Sequence, residues 1–564
     1  MNQMSGAEAV VTMLQRYGVR HVFGLCGDTS LPIYDAFYRL DHGITHILTR
    51  DERSAAYMAD AYARVTGRVG VCEGPSGGGA TYILPGVVEA NESSIPILAI
   101  TTDIGVSSRG RYVLTELDQK ALFRPLTKWN DVVLQAEQIP AAFRSAFRAM
   151  TTGRPGSAHL GLPFDVQKQP IDEALVRADP RHQSFPAEPA APDPAAVERF
   201  VETLLAAADP VIVAGGGPVI AGAFAELREL AERLSIPVAT SISGKGAIAE
   251  THPLSVGVVG SNGGVPATRA LIDAADCILF IGCRAGSVTT ERWRHPAPGD
   301  KRILHIDVDP AVIGTNYETD ATLIGDARLA LAAVNAVLDE NNVETPARKL
   351  NVTRIAEMRA SKFEAFQALA SSDEAPIRPE RVVATLARHL PESAVVVADP
   401  GTPCPYISAY LQLQEAGRSF ISNRAHGALG YSLPAVVGAK IGRPEAKCVA
   451  VMGDGSFGFA CGEMETIQRL GLPVTLIVIA NAAFGWIKAG QRSGFDQRYF
   501  SVDFTPGRHA AIARAFGIEA FEVDEPGALD HAMQKALAAD HPTLLDITCQ
   551  PLHEANAPVS EWIA

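Results

Sequence analysis

The run Lys447-Cys448-Val449-Ala450-Val451-Met452-Gly453-Asp454-Gly455-Ser456 passes straight from an apolar stretch into an acid flanked by glycines. A second apolar run, Val474–Ala480, ends at Asn481-Ala482-Ala483, and residues 463–470 between the two read as a helix. A strand–helix–strand crossover lays the C-terminal ends of two parallel strands side by side. Asp454 and Asn481 are therefore expected at one edge of a sheet, where open α/β sheets bind ligands. A carboxylate and an amide carbonyl are hard oxygen ligands. With a main-chain carbonyl and a diphosphate they suit Mg²⁺ or Ca²⁺. Gly453 and Gly455 let the backbone come close to phosphate. Asp-Gly alone is also an ordinary turn. The strand context and the matching asparagine favour a ligand site.

Working outward, the same alternation fills the chain. Strands are expected at 394–398, 447–452, Val474–Ala480 and Thr543–Thr548 in the last third. In the middle they are expected at Pro210–Ala214, 236–240, Cys277–Ile281 and 303–307, with a helix over Phe224–Leu234. Near the start they fall at 19–23, 45–49, 69–73 and 96–101, after the capping box Ser5-x-x-Glu8 that opens a helix over 7–17. Continuous apolar strands separated by helices imply parallel sheets covered on both faces. The Pro- and Ala-rich stretch 181–194 and residues 371–379 read as linkers, the second following a charged helix near 354–369. The fold class is α/β: three doubly wound parallel-sheet domains over 1–182, 192–340 and 375–564.

Composition narrows the function classes. Of 564 residues, 47% are apolar, and 63 acidic against 49 basic residues give a net charge of -14. Non-specific nucleic-acid binding needs a basic footprint, so no nucleic-acid partner is expected. No apolar run approaches the ~18 residues of a membrane helix, and no membrane partner is expected. The first nine residues lack the basic-then-apolar pattern of a secretory signal, which points to a cytoplasmic protein. Eight cysteines without a Cys-x-x-Cys pair read as buried thiols.

The segment Gly453-Asp454-Gly455 followed by Ala480-Asn481-Ala482-Ala483-Phe484-Gly485-Trp486 resembles the thiamine diphosphate motif, and the chain is similar to the acetolactate synthase large subunit family. The resemblance covers nearly the whole chain. It implies pyrimidine-binding, central and diphosphate-binding domains, in that order. It also implies a metal, Mg²⁺, held by Asp454, Asn481 and the main-chain oxygen of Ala483. The family motif ends in two asparagines; here the first is Ala480, which removes a supporting hydrogen bond and keeps the ligand. Arg50-Asp51-Glu52-Arg53-Ser54 opens a helix whose Ala55, Met58, Ala59 and Tyr62 share one face, with Arg64 and Gly67 suited to its end. Glu52 matches the family glutamate that contacts the coenzyme's aminopyrimidine ring and drives formation of its carbanion. Burial should raise its pKa. Read alone, Glu52 is a first-turn acid favoured by the helix dipole. Gly427 and Leu429 match the carbonyl acceptor and the bulky wedge that keep the coenzyme bent. Gly401 and Thr402, with Gly453, Gly455 and Ser456, match loops around its diphosphate. In some relatives the central unit binds FAD or a nucleotide. Arg284–Val288, as residues 284–288, replaces a more acidic pattern of the flavin-binding relatives, so FAD is an alternative the sequence leaves open.

The resemblance implies a thiamine diphosphate-dependent enzyme, a transferase or lyase, that forms or cleaves a C–C bond. Its substrates are a 2-oxo acid such as pyruvate and an aldehyde or ketone acceptor. A non-ligating 2-oxo acid decarboxylase, a 2-hydroxyacyl lyase and a non-catalytic cofactor-binding homologue are the alternatives. Asp28 occupies the position of a proton-transferring acid in simple decarboxylases, but their His-His pair has no counterpart in 112–118. Gly490 stands where acetolactate synthases place a Trp, which predicts a roomier pocket. Lys488 or Arg492 is a candidate for an anionic substrate group. In this family the Glu52 and metal-binding units meet across a subunit boundary, so a homodimer or homotetramer is implied.

Overall fold

The computed structural model describes residues 2–343, 350–555 and 557–562. The chain groups into two compact units. The first runs to Glu188 and takes in Asn423–Glu445 and Ala460–Leu472; the second holds Pro189–Ser422, Ala446–Phe459 and the chain from Pro473 on. The passage between them at Glu188 and Pro189 falls inside the Pro-rich stretch read as a linker.

The first unit is built on a six-stranded sheet in the order Thr45–Leu48, His21–Gly24, Gly70–Gly74, Ile97–Asp103, Ala158–Pro163, Trp129–Val132, with every pairing parallel. Its core joins Val71, Leu98 and Leu160 of the sheet to Val10, Leu14, Phe143 and Phe147 of covering helices. The capping box forms as predicted: the Glu8 N–H donates to Ser5 Oγ and the Ser5 N–H to Glu8 Oε2, opening the Gly6–Arg16 helix.

The second unit carries two parallel six-stranded sheets. The middle one runs Ser255–Val258, Val238–Thr240, Pro210–Ala214, Cys277–Ile281, Arg302–Asp307, Ala321–Ile324. The last runs Phe420–Ile421, Val395–Ala398, Cys448–Gly453, Val474–Ala480, Thr543–Thr548, Glu519–Val523. By position along the chain, the first and last sheets share one strand order, 2-1-3-4-6-5, and the middle sheet has the dinucleotide-fold order 3-2-1-4-5-6. In each, the order reverses beside the first strand, the place at whose C-terminal edge open α/β sheets bind ligands.

In the three six-stranded sheets, twelve strands fall within two residues of their predicted places and six were not predicted; a short antiparallel pair, Gln3–Ser5 with Pro170–Asp172, was not predicted either. Five of those six are edge strands; two of them, Trp129–Val132 and Glu519–Val523, have half-exposed faces that need no continuous apolar run. The sixth, Ala158–Pro163, is central, but His159 and Gly161 interrupt its pattern. His159 is buried by stacking on Phe123, and its Nε2 lies 2.6 Å from Thr101 Oγ1. The predicted helix over 463–470 is Met464–Arg469, preceded by a short helix, Asp454–Ala460, that starts at Asp454 itself. All eight cysteines are free thiols; Cys26 is exposed and Cys461 half-buried, against the expectation of uniform burial.

Candidate active site

In the last sheet, Val395–Ala398 and Cys448–Gly453 are the strands on either side of the reversal, and the acids Asp399 and Asp454 follow them directly. Asp399 is fully buried and its Oδ2 accepts the Ser456 hydroxyl at 2.6 Å, so the two loops are tied together. Asp454 reaches across to the end of the neighbouring strand. Its Oδ2 accepts the N–H groups of Asn481 at 2.7 Å and Ala482 at 2.6 Å, while Oδ1 accepts that of Gly455 at 2.8 Å. Ala482 stands in the left-handed region at φ 53°, a conformation that costs a residue with a side chain about 1–2 kcal/mol. The Asp454 carboxylate is what holds it there, because it is a charged acceptor for two successive amides. The turn is closed from its other side by the Phe504 N–H donating to the Ala482 carbonyl and the Phe484 N–H to that of Val502.

Two observations test whether this cradle fits a metal-bound diphosphate. The side-chain oxygen of Asn481 is buried and has no hydrogen-bond partner among the described residues. A buried carbonyl left bare is costly unless something outside the described chain satisfies it. Gly401, at φ 90°, and Gly453 both face open space where a β-carbon would stand. Burial holds the Asp454 carboxyl above its ordinary range against three amide donors that lower it. A buried carboxylate and a bare amide oxygen form an oxygen donor set that a hard divalent cation completes. The residues fit the group. Thr402, buried, starts the Pro403–Tyr410 helix beside Gly485. Gly401, Thr402, Gly453, Asp454, Gly455, Ser456, Asn481 and Ala483 thus all lie at this sheet edge, in the second unit.

The first unit holds the remaining candidates. Asp51 caps the Glu52–Thr66 helix by accepting the N–H groups of Arg53 and Ser54, and Gly67 ends it at φ 70°. Glu52 is only 6% exposed. A β-carbon on Gly74 would lie 3.2 Å from its Cγ and one on Gly79 3.0 Å from its Oε1, so both glycines make room for the carboxyl. Burial, then the neighbouring Asp51 and Glu73 carboxylates, hold Glu52 above the ordinary carboxylate range. Asp28 sits in a short turn after the first strand, exposed, with its Oδ1 accepting the Thr29 N–H at 2.8 Å.

Gly427 and Leu429 precede the Ser432–Gly442 helix, which lies on the Glu52–Thr66 helix so closely that a β-carbon on Gly438 would stand 2.0 Å from the Met58 carbonyl oxygen. Gly427, at φ 71°, is exposed and Leu429 half-buried. Their loop is gripped by Glu89, fully buried, whose carboxylate accepts the N–H groups of Ala425, His426 and Gly427 at 3.2, 2.7 and 3.4 Å. Arg64 bridges Glu89 and Asp60 at 3.2 and 2.8 Å. The sequence reading passed over Glu89, and over Glu73. Glu73 carries a legible signal, a single acid inside a buried strand of small or apolar residues, whereas Glu89 shares its helix with Asn91 and Glu92.

Two pocket expectations change. Gly490 does not simply leave a void, because Trp562 stands 3.7 Å from where its β-carbon would be, held by the Trp486 indole N–H donating to the Trp562 carbonyl at 3.0 Å. Lys488 pairs with Asp503 at 2.6 Å and Arg492 donates to the His553 carbonyl, partners with which an anionic group would compete.

Three family models match the chain: the thiamine pyrophosphate enzyme N-terminal TPP binding domain over residues 4–122, the central domain over 197–334 and the C-terminal TPP binding domain over 399–547. The chain is 35% identical to the probable acetolactate synthase large subunit of Methanococcus aeolicus, across 97% of this chain and 92% of that one. It is 34% identical to its counterpart in Methanocaldococcus jannaschii with the same coverage, and 32% identical to the acetolactate synthase isozyme 3 large subunit of Escherichia coli across 95% and 93%. With sheets, acids and glycines in these places, the chain belongs to the thiamine pyrophosphate enzyme family and is similar to acetolactate synthase large subunits.

Proposed function

We propose that this protein is a thiamine diphosphate- and Mg²⁺-dependent carboligase that takes a 2-oxo acid such as pyruvate as donor and an aldehyde or ketone as acceptor. The observation that carries the reading is the Asp454 clamp, which fixes the turn at Asn481 and leaves the Asn481 oxygen bare for a cation. Asp454, Asn481 and the Ala483 main-chain oxygen would hold the metal. Gly401, Thr402, Gly453, Gly455 and Ser456 would line the diphosphate. Glu52 would meet the aminopyrimidine ring, where burial, by raising its pKa, favours sharing a proton with that ring. Gly427 would accept the ring's amino group and Leu429 would wedge the two rings apart. When bound, thiamine diphosphate supplies the electron sink for loss of CO₂ and transfer of the acyl carbon. The chain's own work is orientation, exclusion of water and the Glu52 proton.

A domain arrangement of 1–182, 192–340 and 375–564, and a homodimer or homotetramer with active sites at the subunit interface, belong to the same proposal. Asp28 favours a second reading, a non-ligating decarboxylase or a lyase, because an exposed carboxylate in this loop can carry a proton to an intermediate that a ligase must keep from protons. The test is a panel of 2-oxo acids with and without acceptors, supplied with thiamine diphosphate and Mg²⁺, with products read by mass. Joined products support the carboligase. Aldehyde alone supports the decarboxylase. No CO₂ from any donor overturns both and points to a non-catalytic homologue. The absorbance of the purified protein shows whether FAD is also bound.

A further inference from the structure

The Leu350–Ala370 helix, in the second unit, buries one face: Asn351, Ile355, Met358, Lys362, Phe366 and Ala370 follow one another at steps of three and four. Lys362 stands in the middle of that face and is only 8% exposed. A lysine ordinarily carries its ammonium out to water on its long stem. Here Lys362 Nζ ends against Ser255–Val258, an edge strand of the middle sheet, 3.5 Å from where a β-carbon on Gly257 would stand. Gly257 lies at φ 87°, where the strand shifts register against Val238 and Ala239. Beyond its own chain neighbours no other atom of the described residues comes within 4 Å of that point, so open space adjoins the ammonium. Gly257 itself is half-buried, which leaves the gap within reach of solvent. Among the described residues Lys362 has no hydrogen bond and no ion pair. The rings of Phe363 and Tyr410, 5.7 and 5.9 Å from Nζ, are at the limit of cation–π reach. The charged groups that face it are Glu250, Lys245 and Arg359. Lys245 is already bonded to Glu250 and, at 2.6 Å, to the Leu411 carbonyl, and Arg359 to the His252 carbonyl at 2.9 Å. Three cations therefore share one acid.

We propose that the Lys362 amine is a modification site that takes CO₂, forming a carbamate lodged in the gap at Gly257. The lone pair of the free amine attacks the carbon of CO₂. The N–C bond forms as one C–O π pair moves to oxygen, and a nitrogen proton leaves to water. Only the unprotonated amine can do this. Burial, opposed by Glu250 and reinforced by Lys245 and Arg359, brings the Lys362 pKa down to about 8, so the reactive form grows as the pH rises through that value. CO₂ is small and apolar and enters where a charged reagent pays for desolvation. The product suits the site. It replaces the third cation by an anion, leaving Lys245 and Arg359 against Glu250 and the carbamate, two charges of each sign. An ammonium in the same place has no partner to offset its burial. The inference stands apart from the proposed reaction, although the CO₂ released there is the same reagent.

The test uses the full-length protein without coenzyme, held in ¹³C-bicarbonate at pH 8, the pKa of the group. Any carbamate is trapped as its ethyl ester with triethyloxonium and located by peptide mass mapping. The label is expected on Lys362. At pH 8 its free-amine fraction exceeds that of an ordinary lysine by on the order of a hundredfold, so the exposed lysines serve as internal controls. A ¹³C carbamate resonance should be present in the unchanged protein, fade as the pH falls below 8, and be absent from Lys362→Met, which keeps an unbranched stem in the helix face. If Lys362→Met does not fold, the mapping of the unchanged protein decides alone. No label at Lys362, or label confined to the N-terminal amine, overturns the inference. So does a melting temperature that inorganic phosphate raises as much as bicarbonate does, with no label at Lys362, because the gap then holds a free anion.

Discussion

Glu52 and Asp454 are both buried acids that desolvation holds above the ordinary range, but they are compensated in different ways. Asp454 has three amide donors and, in the proposed reading, would also face a cation. Among the described residues Glu52 has no such donors beyond its own backbone N–H. This gives a signed prediction. A folded-state pKa above the ordinary 4.5 means the native protein binds that proton more tightly than the unfolded chain. Glu52 therefore costs stability as pH rises from 4.5 through its folded value and contributes no cost below 4.5. Without coenzyme, Glu52→Gln is expected to melt higher than the unchanged protein at neutral pH and to lose that advantage near pH 4. Thermal unfolding across that range checks it. The same variant is expected to lose most of its turnover with the fold intact. Turnover equal to the unchanged protein would remove Glu52 from the mechanism.

At the scale of elements, two contacts of the Glu52–Thr66 helix and its partner segment carry separate predictions. Gly438→Ala would gain about 1 kcal/mol of helix propensity. Its β-carbon, however, would stand 2.0 Å from the Met58 carbonyl oxygen, which is backbone and cannot turn aside. Overpacking of this kind costs roughly 1–3 kcal/mol, so the clash wins and a lower melting temperature is expected. Glu89→Gln puts an amide donor in place of an oxygen that faces three N–H groups. Losing a charged hydrogen bond is worth about 1.5–3 kcal/mol. Amide exchange at residues 425–427 should accordingly quicken by ten- to a hundredfold, with weaker thiamine diphosphate binding. If exchange there is unchanged, Glu89 does not hold the loop.

At the scale of the whole molecule, the first and last sheets repeat one strand order, and each places a carboxylate at its own reversal point: Glu73 beside Gly24 in one, Asp399 and Asp454 in the other. The sheets themselves rest on apolar clusters free of the proposed metal ligands. Chelating divalent metal is therefore expected to abolish coenzyme binding while the far-ultraviolet circular dichroism stays the same. Loss of the dichroism on chelation would mean that the metal is structural. Among the described residues no helix is long and apolar enough to cross a membrane.

What the sequence by itself determined is what is local and periodic: buried central strands, the capping box at Ser5, the helix opened by Asp51 and the pairing of Asp454 with Asn481, which the crossover rule places without coordinates. Edge strands such as Trp129–Val132 and Glu519–Val523 escaped it because a half-exposed strand has no apolar run to show. Tertiary structure alone decided which side chains meet across distant segments. Lys488 and Arg492 were spent on Asp503 and His553, Trp562 moved in behind Gly490, Glu89 took hold of a loop more than three hundred residues away, and Glu73 came to lie over Gly24 under Tyr34. The physical reason is that a pattern along the chain reports which face a residue turns to the core. The charge or cavity it finds there is supplied by other segments, whose positions only packing fixes.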